Sequence, residues 1–151
     1  MFHKRLYKPF FPEKYAGDPT NIVMRSSWET KFALWCDNNP HVVKWSSEET
    51  IVPYRCPTDG KVHRYFIDFK ITFNNKKTYL VELKPKKQTV PPEQKSTKKR
   101  ARKQYITEVL AYVKNQAKWK AADAYAKSTG TEFQVWTEDT LDQLGIKILG
   151  K

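Results

Sequence analysis

The stretch from Tyr65 to Lys84 constrains this chain more than any other. Tyr65-Phe66-Ile67-Asp68-Phe69-Lys70-Ile71-Thr72-Phe73 and Thr78-Tyr79-Leu80-Val81-Glu82-Leu83-Lys84 both alternate with period two and are rich in β-branched and aromatic residues, the pattern of two strands. Asn74-Asn75-Lys76-Lys77 breaks them, and asparagine tolerates the positive φ that a tight hairpin needs. An acid therefore sits within one arm and Glu-x-Lys on the other. Carboxylates inside strands are unfavourable by propensity, and more so on a buried face. Two readings account for them. Asp68, Lys70, Glu82 and Lys84 form the solvated face of an amphipathic hairpin, with Tyr65, Ile67, Phe69, Ile71 and Phe73 turned to the core; or the charges are used by something else, a divalent cation foremost.

Sharing one ion puts a condition on the turn. Residues directly opposed in an antiparallel pair share a face, and a one-residue slip reverses this. A two- or four-residue turn would send Asp68 and Glu82 to opposite faces. A three-residue turn of Asn74 to Lys76 sets them directly across from one another, and one of Asn75 to Lys77 sets Asp68 across from Lys84 with Glu82 diagonal. The sequence thus predicts an odd-length turn with Asn in a left-handed conformation, or a bulge that corrects the register.

Charge points the same way. Twenty-eight Lys and Arg against sixteen acids give +12 and a pI near 9.7, so polyanions are the expected partners. Residues 84–103 alone hold nine basic residues and one acid, +8 of that total. A charge run is often a solvated linker. This one starts at Lys84, so Lys86, Lys87, Lys98, Lys99, Arg100, Arg102 and Lys103 are predicted to emerge at the mouth of the site and contact DNA phosphates from a flexible segment spanning 85–103.

The remaining chain reads as one domain over 1–151, with no internal repeat. Residues 1–21 mix basic and aromatic side chains without a period, which predicts an extended arm laid over the body or a docking segment. Trp28, Phe32, Trp35 and Cys36 form one helical stripe after Arg25-Ser26-Ser27, stopped by Asn38-Asn39-Pro40. Ser26-x-x-Glu29 is a capping box, which by itself explains Glu29 at roughly 0.5–2 kcal/mol. Val42–Trp45 and Thr50–Tyr54 read as strands, the second pushed to an edge or bulge by Pro53. Helical pattern runs from about Arg100 to Ser128 as two helices or one bent at Asn115, followed by a strand over Glu132–Thr137, a helix over Glu138–Leu144 and a small edge strand over Ile146–Leu149. Gln104 reads as a surface residue within reach of phosphate. Cys36 and Cys56 lack Cys-x-x-Cys spacing, so neither zinc nor a disulfide framework is expected. His3, His41 and His63 are scattered, His63 being the one candidate for approaching substrate. No apolar run approaches the ~18 residues of a membrane span, and no signal-peptide pattern is expected.

Asp68-x13-Glu82-x-Lys84 resembles the PD-(D/E)-x-K nuclease motif, with Ile67 standing where the usual proline would be. Arg25-Ser26-x-x-Glu29 is similar to the string in the endonuclease subunit of certain heteromeric transposases, which raises Glu29 to a fourth active-site acid. The order helix, strand, hairpin, helix, strand looks like the αβββαβ core of the restriction-endonuclease-like fold, a small mixed sheet flanked by helices, and nearly the whole chain is similar to the head completion nucleases of tailed, contractile-tail bacteriophages. That resemblance implies a Mg²⁺-dependent (Mn²⁺ as substitute) endo- or exodeoxyribonuclease with Glu29, Asp68, Glu82 and Lys84 catalytic and Glu29, Asp68, Glu82 and the Leu83 carbonyl holding metal. It further implies double-stranded DNA and phage head or neck proteins as partners, no membrane and no small-molecule cofactor. The setting would be the host cytoplasm during assembly. A non-catalytic DNA-binding virion protein and a junction-resolving enzyme on the same fold are the rival expectations.

Overall fold

The computed structural model describes residues 2–148. In chain order its elements are β1 (Phe2–Leu6), a 3-10 turn (Pro12–Lys14), β2 (Val23–Ser26), α1 (Ser27–Asn38), β3 (Val42–Ser47), β4 (Ile51–Arg55), β5 (Val62–Phe66), β6 (Phe69–Phe73), β7 (Thr78–Leu83), a 3-10 turn (Lys86–Gln88), α2 (Lys99–Thr129), β8 (Glu132–Trp136) and α3 (Glu138–Gln143). A four-stranded sheet has the order β3-β6-β7-β8, antiparallel except that β8 runs parallel to β7. This is the mixed α/β restriction-endonuclease-like arrangement that the sequence predicts.

The hairpin has the required register. Thr72 faces Thr78, Ile71 faces Tyr79, Lys70 faces Leu80 and Phe69 faces Val81. The Phe73 N–H donates to the Lys77 carbonyl at 2.9 Å, closing a three-residue turn of Asn74 to Lys76. Its left-handed residue is Lys76 (φ 72°), not an asparagine. Such a turn places αL at its third position, whichever residue stands there. Asn75 instead accepts the Lys77 N–H through Oδ1 at 3.0 Å, the local bond its short side chain is suited to make.

Residues 65–73 do not form one strand as expected. Ser47 pairs with Phe69 and Ile51 with Phe66, leaving three residues on one side opposite two on the other. The ladder crosses this bulge through Glu48 N–H to the Asp68 carbonyl at 3.1 Å and Ile67 N–H to the Thr50 carbonyl at 3.0 Å. Glu48 takes the left-handed conformation (φ 55°) that the bulge needs. The β4–β5 ribbon consequently bends off as its own two-stranded sheet, in which both strands are edges and Pro53 costs no central pairing.

Two apolar cores result, one on each side of the main sheet. Phe69, Ile71, Val81 and Leu83 pack with Phe32, Ala33 and Cys36 of α1, with Trp45, and with Leu141 of α3. Phe32 stacks on Trp35 at 5.6 Å between ring centroids and meets Phe69 edge-on at 4.7 Å. On the other side, Tyr65, Ile67 and Leu80 pack with Val52, Tyr54 and the small residues Ala122 and Ala126 of α2. Tyr65 and Ile67 thus face a different core from Phe69 and Ile71, because the bulge breaks the alternation between them.

The N-terminal arm belongs to the body. β1 pairs with β2, and the Ala16 N–H donates to the Trp45 carbonyl at 2.8 Å along the outer edge of β3. Asp37, fully buried near the end of α1, accepts Tyr7 OH at 2.7 Å and the Phe10 and Phe11 N–H groups at 2.6 and 3.0 Å. Lys14 Nζ donates to the carbonyls of Cys36, Asp37 and Asn39 at 2.8–2.9 Å, a cationic cap on the C-terminal end of α1.

Helix α2 runs unbroken through Asn115, so the two-helix alternative does not hold; no Gly or Pro interrupts it, and one Asn costs little. It ends at Gly130 (φ 73°). Lys99, Arg100, Arg102 and Lys103 therefore ride on its first turns and are not flexible loop residues, while 89–98 is irregular. Ile146–Ile148 form no strand, and Leu149 lies outside the described residues. Ile146 is buried beside Leu141. No helix among the described residues is long and apolar enough to cross a membrane.

Candidate active site

The bulge and the hairpin register bring Asp68 and Glu82 together. Continuing the β6–β7 pairing by one residue sets them opposite each other. The ladder would next join Leu83 N–H to the Ile67 carbonyl; instead Asp68 Oδ2 accepts that N–H at 2.9 Å. The aspartate side chain replaces a backbone acceptor at the point where the strand turns away, and its carboxylate is pinned over β7. Glu82 is buried, with Oε1 accepting Tyr65 OH at 2.5 Å and Oε2 standing 3.4 Å from Lys84 Nζ. Glu82 and Lys84, two residues apart at the end of β7, share one side of the chain.

Glu29 approaches from the first turn of α1. Ser26 Oγ accepts the Glu29 N–H at 3.2 Å, so the cap is made. The reciprocal half of the box is displaced: Glu29 Oε1 accepts the Arg25 N–H at 3.0 Å. The local explanation of Glu29 holds, and the same side chain also lies close enough to Asp68 and Glu82 for the three charges to repel. Desolvation raises the Glu29 pKa, with further upward pressure from Glu48 and Glu82 against the Arg25 N–H. Asp68 is raised well above the usual carboxylate range, first by desolvation and then by the Glu82 charge, with the Leu83 N–H and Lys84 opposing. Tyr65 is also pushed up, by burial and then by Glu82. Anionic carboxylates crowded into low-dielectric surroundings, with one lysine in contact, have more negative charge than the protein balances.

That donor set fits Mg²⁺, a hard ion that takes oxygen from one or two carboxylates and fills its octahedron with water and phosphate. Leu83 lies between Glu82 and Lys84 with its N–H already used, its backbone running directly beside the pair.

Three neighbours of the site escaped sequence reasoning. Glu48, the left-handed residue of the bulge, is bound by Arg25 Nε at 3.0 and 3.2 Å and borders Glu29. Tyr65 read only as a core aromatic. Lys118 of α2 sits over the rings of Tyr65 and Tyr54, and its pKa is lowered by burial while the Glu82 and Asp68 charges raise it. Only the helical stripe of α2 could have signalled Lys118, and that stripe says nothing about what it covers.

The predicted DNA contacts separate into two groups. Lys86 is tied to α3, its N–H donating to Glu138 at 2.7 Å and its Nζ 3.0 Å from Asp139. Lys87 beside it is exposed. Lys98, Lys99, Arg100, Arg102 and Lys103 are exposed at the N-terminal end of α2, where no side chain caps the helix and no acid offsets its dipole. A groove of about 690 Å³ between residues 87–95 and the α2 face bearing Gln104, Thr107 and Asn115 is lined by none of Glu29, Asp68 and Glu82.

Cys56, Asp59 and His63, expected to be unrelated, meet at the tip of the β4–β5 ribbon with their ligand atoms within 4.8 Å of one another. Each already has a local partner, His63 bonding Asp59 at 2.7 Å and Cys56 bonding Thr58 at 3.0 Å. The ligand atoms of Glu29, Asp68 and Glu82 are not all gathered this closely.

Comparison with known proteins gives two findings. Residues 39–138 match the family model described as TnsA-like endonuclease N terminal. The chain is 40% identical over 135 residues to the head completion nuclease of Enterobacteria phage T4, covering 89% of this chain and 90% of that one. No solved structure matches the chain.

Proposed function

The chain belongs to the TnsA-like endonuclease N-terminal family, and from that premise we propose that it is a metal-dependent deoxyribonuclease acting in phage head completion. The observation that carries the metal-dependent reading is the Asp68–Glu82 pair: Asp68, just before β6, accepts the Leu83 N–H beside buried Glu82, with Lys84 Nζ 3.4 Å from Glu82. Asp68 and Glu82 hold the ion, with the Leu83 carbonyl and Glu29 as further ligands directly or through water. Mg²⁺, or Mn²⁺ in its place, would supply Lewis acidity toward the phosphate when bound there. Tyr65, by donating to Glu82, fixes which way that carboxylate faces. Lys84 orients the attacking water and stabilises negative charge developing at phosphorus. The basic end of α2 supplies phosphate affinity, which is independent of sequence, so cleavage has little sequence preference. In the host cytoplasm the enzyme would trim packaged DNA before head–tail joining, meeting head or neck proteins there.

Purified protein incubated with supercoiled plasmid tests the reading. Nicking or linearisation is expected with Mg²⁺ and not with EDTA, and Asp68→Ala, Glu82→Ala and Lys84→Ala should each lose most of it while still binding duplex. Binding that survives EDTA with no Mg²⁺-dependent cleavage would make the protein a non-catalytic DNA-binding factor. A strong preference for branched DNA over linear duplex would make it a junction resolvase.

A further inference from the structure

Lys118 occupies an unusual position for a lysine. Its Nζ lies 5.5 Å from the centroid of the Tyr65 ring and 6.0 Å from that of Tyr54, half-buried beneath α2. Among the described residues it makes no ion pair and no hydrogen bond. An ammonium carries three N–H donors, and one withdrawn from water ordinarily finds oxygens for them. Ring faces attract the charge and hold the head in place, but they take up none of those donors, which stay open to solvent or to a ligand.

The charged groups that reach it are Glu82, Lys84, Lys114 and Asp68. Lys118 stands on the ring of Tyr65, whose hydroxyl donates to Glu82, and so approaches the pair from α2, while Lys84 meets Glu82 from the end of β7. Tyr65 links the two halves, its ring under Lys118 and its hydroxyl on Glu82. A ligand binding at Asp68 and Glu82 would enter between two lysines. No oxygen of the described residues takes up the Lys118 donors, and a phosphodiester would bring oxygens to them.

We propose that Lys118 is a second phosphate-binding cation of the catalytic centre, donating to a non-bridging oxygen of the phosphodiester being cleaved. This rests on the nuclease reading of Asp68, Glu82 and Lys84. Lys84 and Lys118 then divide the work: one beside the attacking water, the other on an oxygen that gains charge as the bond breaks. The rings of Tyr54 and Tyr65 fix the head beforehand, so little side-chain freedom is lost when DNA arrives.

Lys118→Met keeps the apolar stem over both rings and removes the charge. With plasmid and Mg²⁺, its single-turnover cleavage rate is expected to fall on the order of 10²-fold, the usual loss for one preorganised donor, while the thermal midpoint stays near wild type. Lys120→Gln, on an exposed face of the same helix, should cleave normally. In an Asp68→Asn background that binds without cutting, adding Lys118→Met should reduce the slope of log K against log[salt] by about one. Wild-type rate in Lys118→Met would overturn the proposal, and so would slower cleavage that tracks a fall in thermal midpoint with an unchanged salt slope, which would make Lys118 a clasp between α2 and the β4–β5 ribbon. Wild-type protein in the same assay separates the two levels. If it fails to cleave, the nuclease reading falls; if it cleaves and Lys118→Met matches it, only the Lys118 assignment does.

Discussion

At the scale of single residues, the decisive feature is a surplus of buried negative charge. Asp68 and Glu29 both have raised pKa values, so without metal the folded chain binds more protons than the unfolded one between the ordinary carboxylate range near 4 and those raised values. Across that window stability falls as pH rises. Asp68→Asn keeps an acceptor for the Leu83 N–H and removes the charge. In EDTA at pH 8 it is expected to melt above wild type by roughly 2–4 °C per kcal/mol recovered, the gap closing as pH drops toward 4. Mg²⁺ should raise the wild-type midpoint and leave the variant nearly unmoved; melts at the two pH values, with and without Mg²⁺, decide it. Glu29 carries both a cap and a charge, and Glu29→Gln divides them: its side chain can still accept the Arg25 N–H, so lost cleavage at an unchanged midpoint assigns the carboxylate to chemistry. That Asp68 and Glu82 meet was legible in strand period and turn length, while their reading as a site with Lys84 came from the resemblance of Asp68-x13-Glu82-x-Lys84 to the nuclease motif. Glu48 and Lys118 were not, since one depends on where a bulge falls and the other on which strands a helix covers.

At the scale of elements, the hairpin was readable down to its register and α2 was not. The turn at Asn74–Lys76 is a local problem with few solutions, and the requirement that two acids share a face chose among them. The bulge opposite Asp68 is a compromise between two ladders of different lengths, and neither strand alone records it. For α2, the change of stripe near Asn115 suggested a bend. The helix is one continuous element whose buried residues, Ala122 and Ala126, lie in its second half, while Ile106, Leu110 and Val113 of the first half are exposed. Its N-terminal end carries Lys98, Lys99, Arg100, Arg102 and Lys103 at the positive end of the helix dipole, a costly arrangement that anions would relieve. Replacing these five with Gln should weaken binding to duplexes of any sequence. If all five touch phosphate, the salt slope shrinks by roughly 4–5 units; an unchanged slope would assign the run to a protein-docking surface.

At the scale of the molecule, the N-terminal arm closes one side and β8 the other. The arm is worth more than its irregular sequence suggests. Removing residues 1–14 strips Asp37 of its three donors and leaves a carboxylate buried alone, expected to cost about 3–5 kcal/mol in a urea titration. A loss under 1 kcal/mol would mean the carboxylate finds water instead. Aromatic and basic residues identified the arm as something that docks, but Asp37 reads in sequence as an ordinary residue near a helix end. The other closure comes late. β8 reaches β7 only after all of α2, so while residues 84–131 are being made the strand bearing Glu82 is a bare edge. A chain leaves the ribosome N-terminus first, and Glu29, Asp68, Glu82 and Lys84 emerge long before Lys118 and β8. A message broken between codons 84 and 132 thus yields every acid of the centre but neither its backing strand nor its covering helix in full. Such fragments are expected to aggregate along the open edge, so a cell carrying this gene makes a cutting tool or debris, and nothing half-finished that could nick its templates.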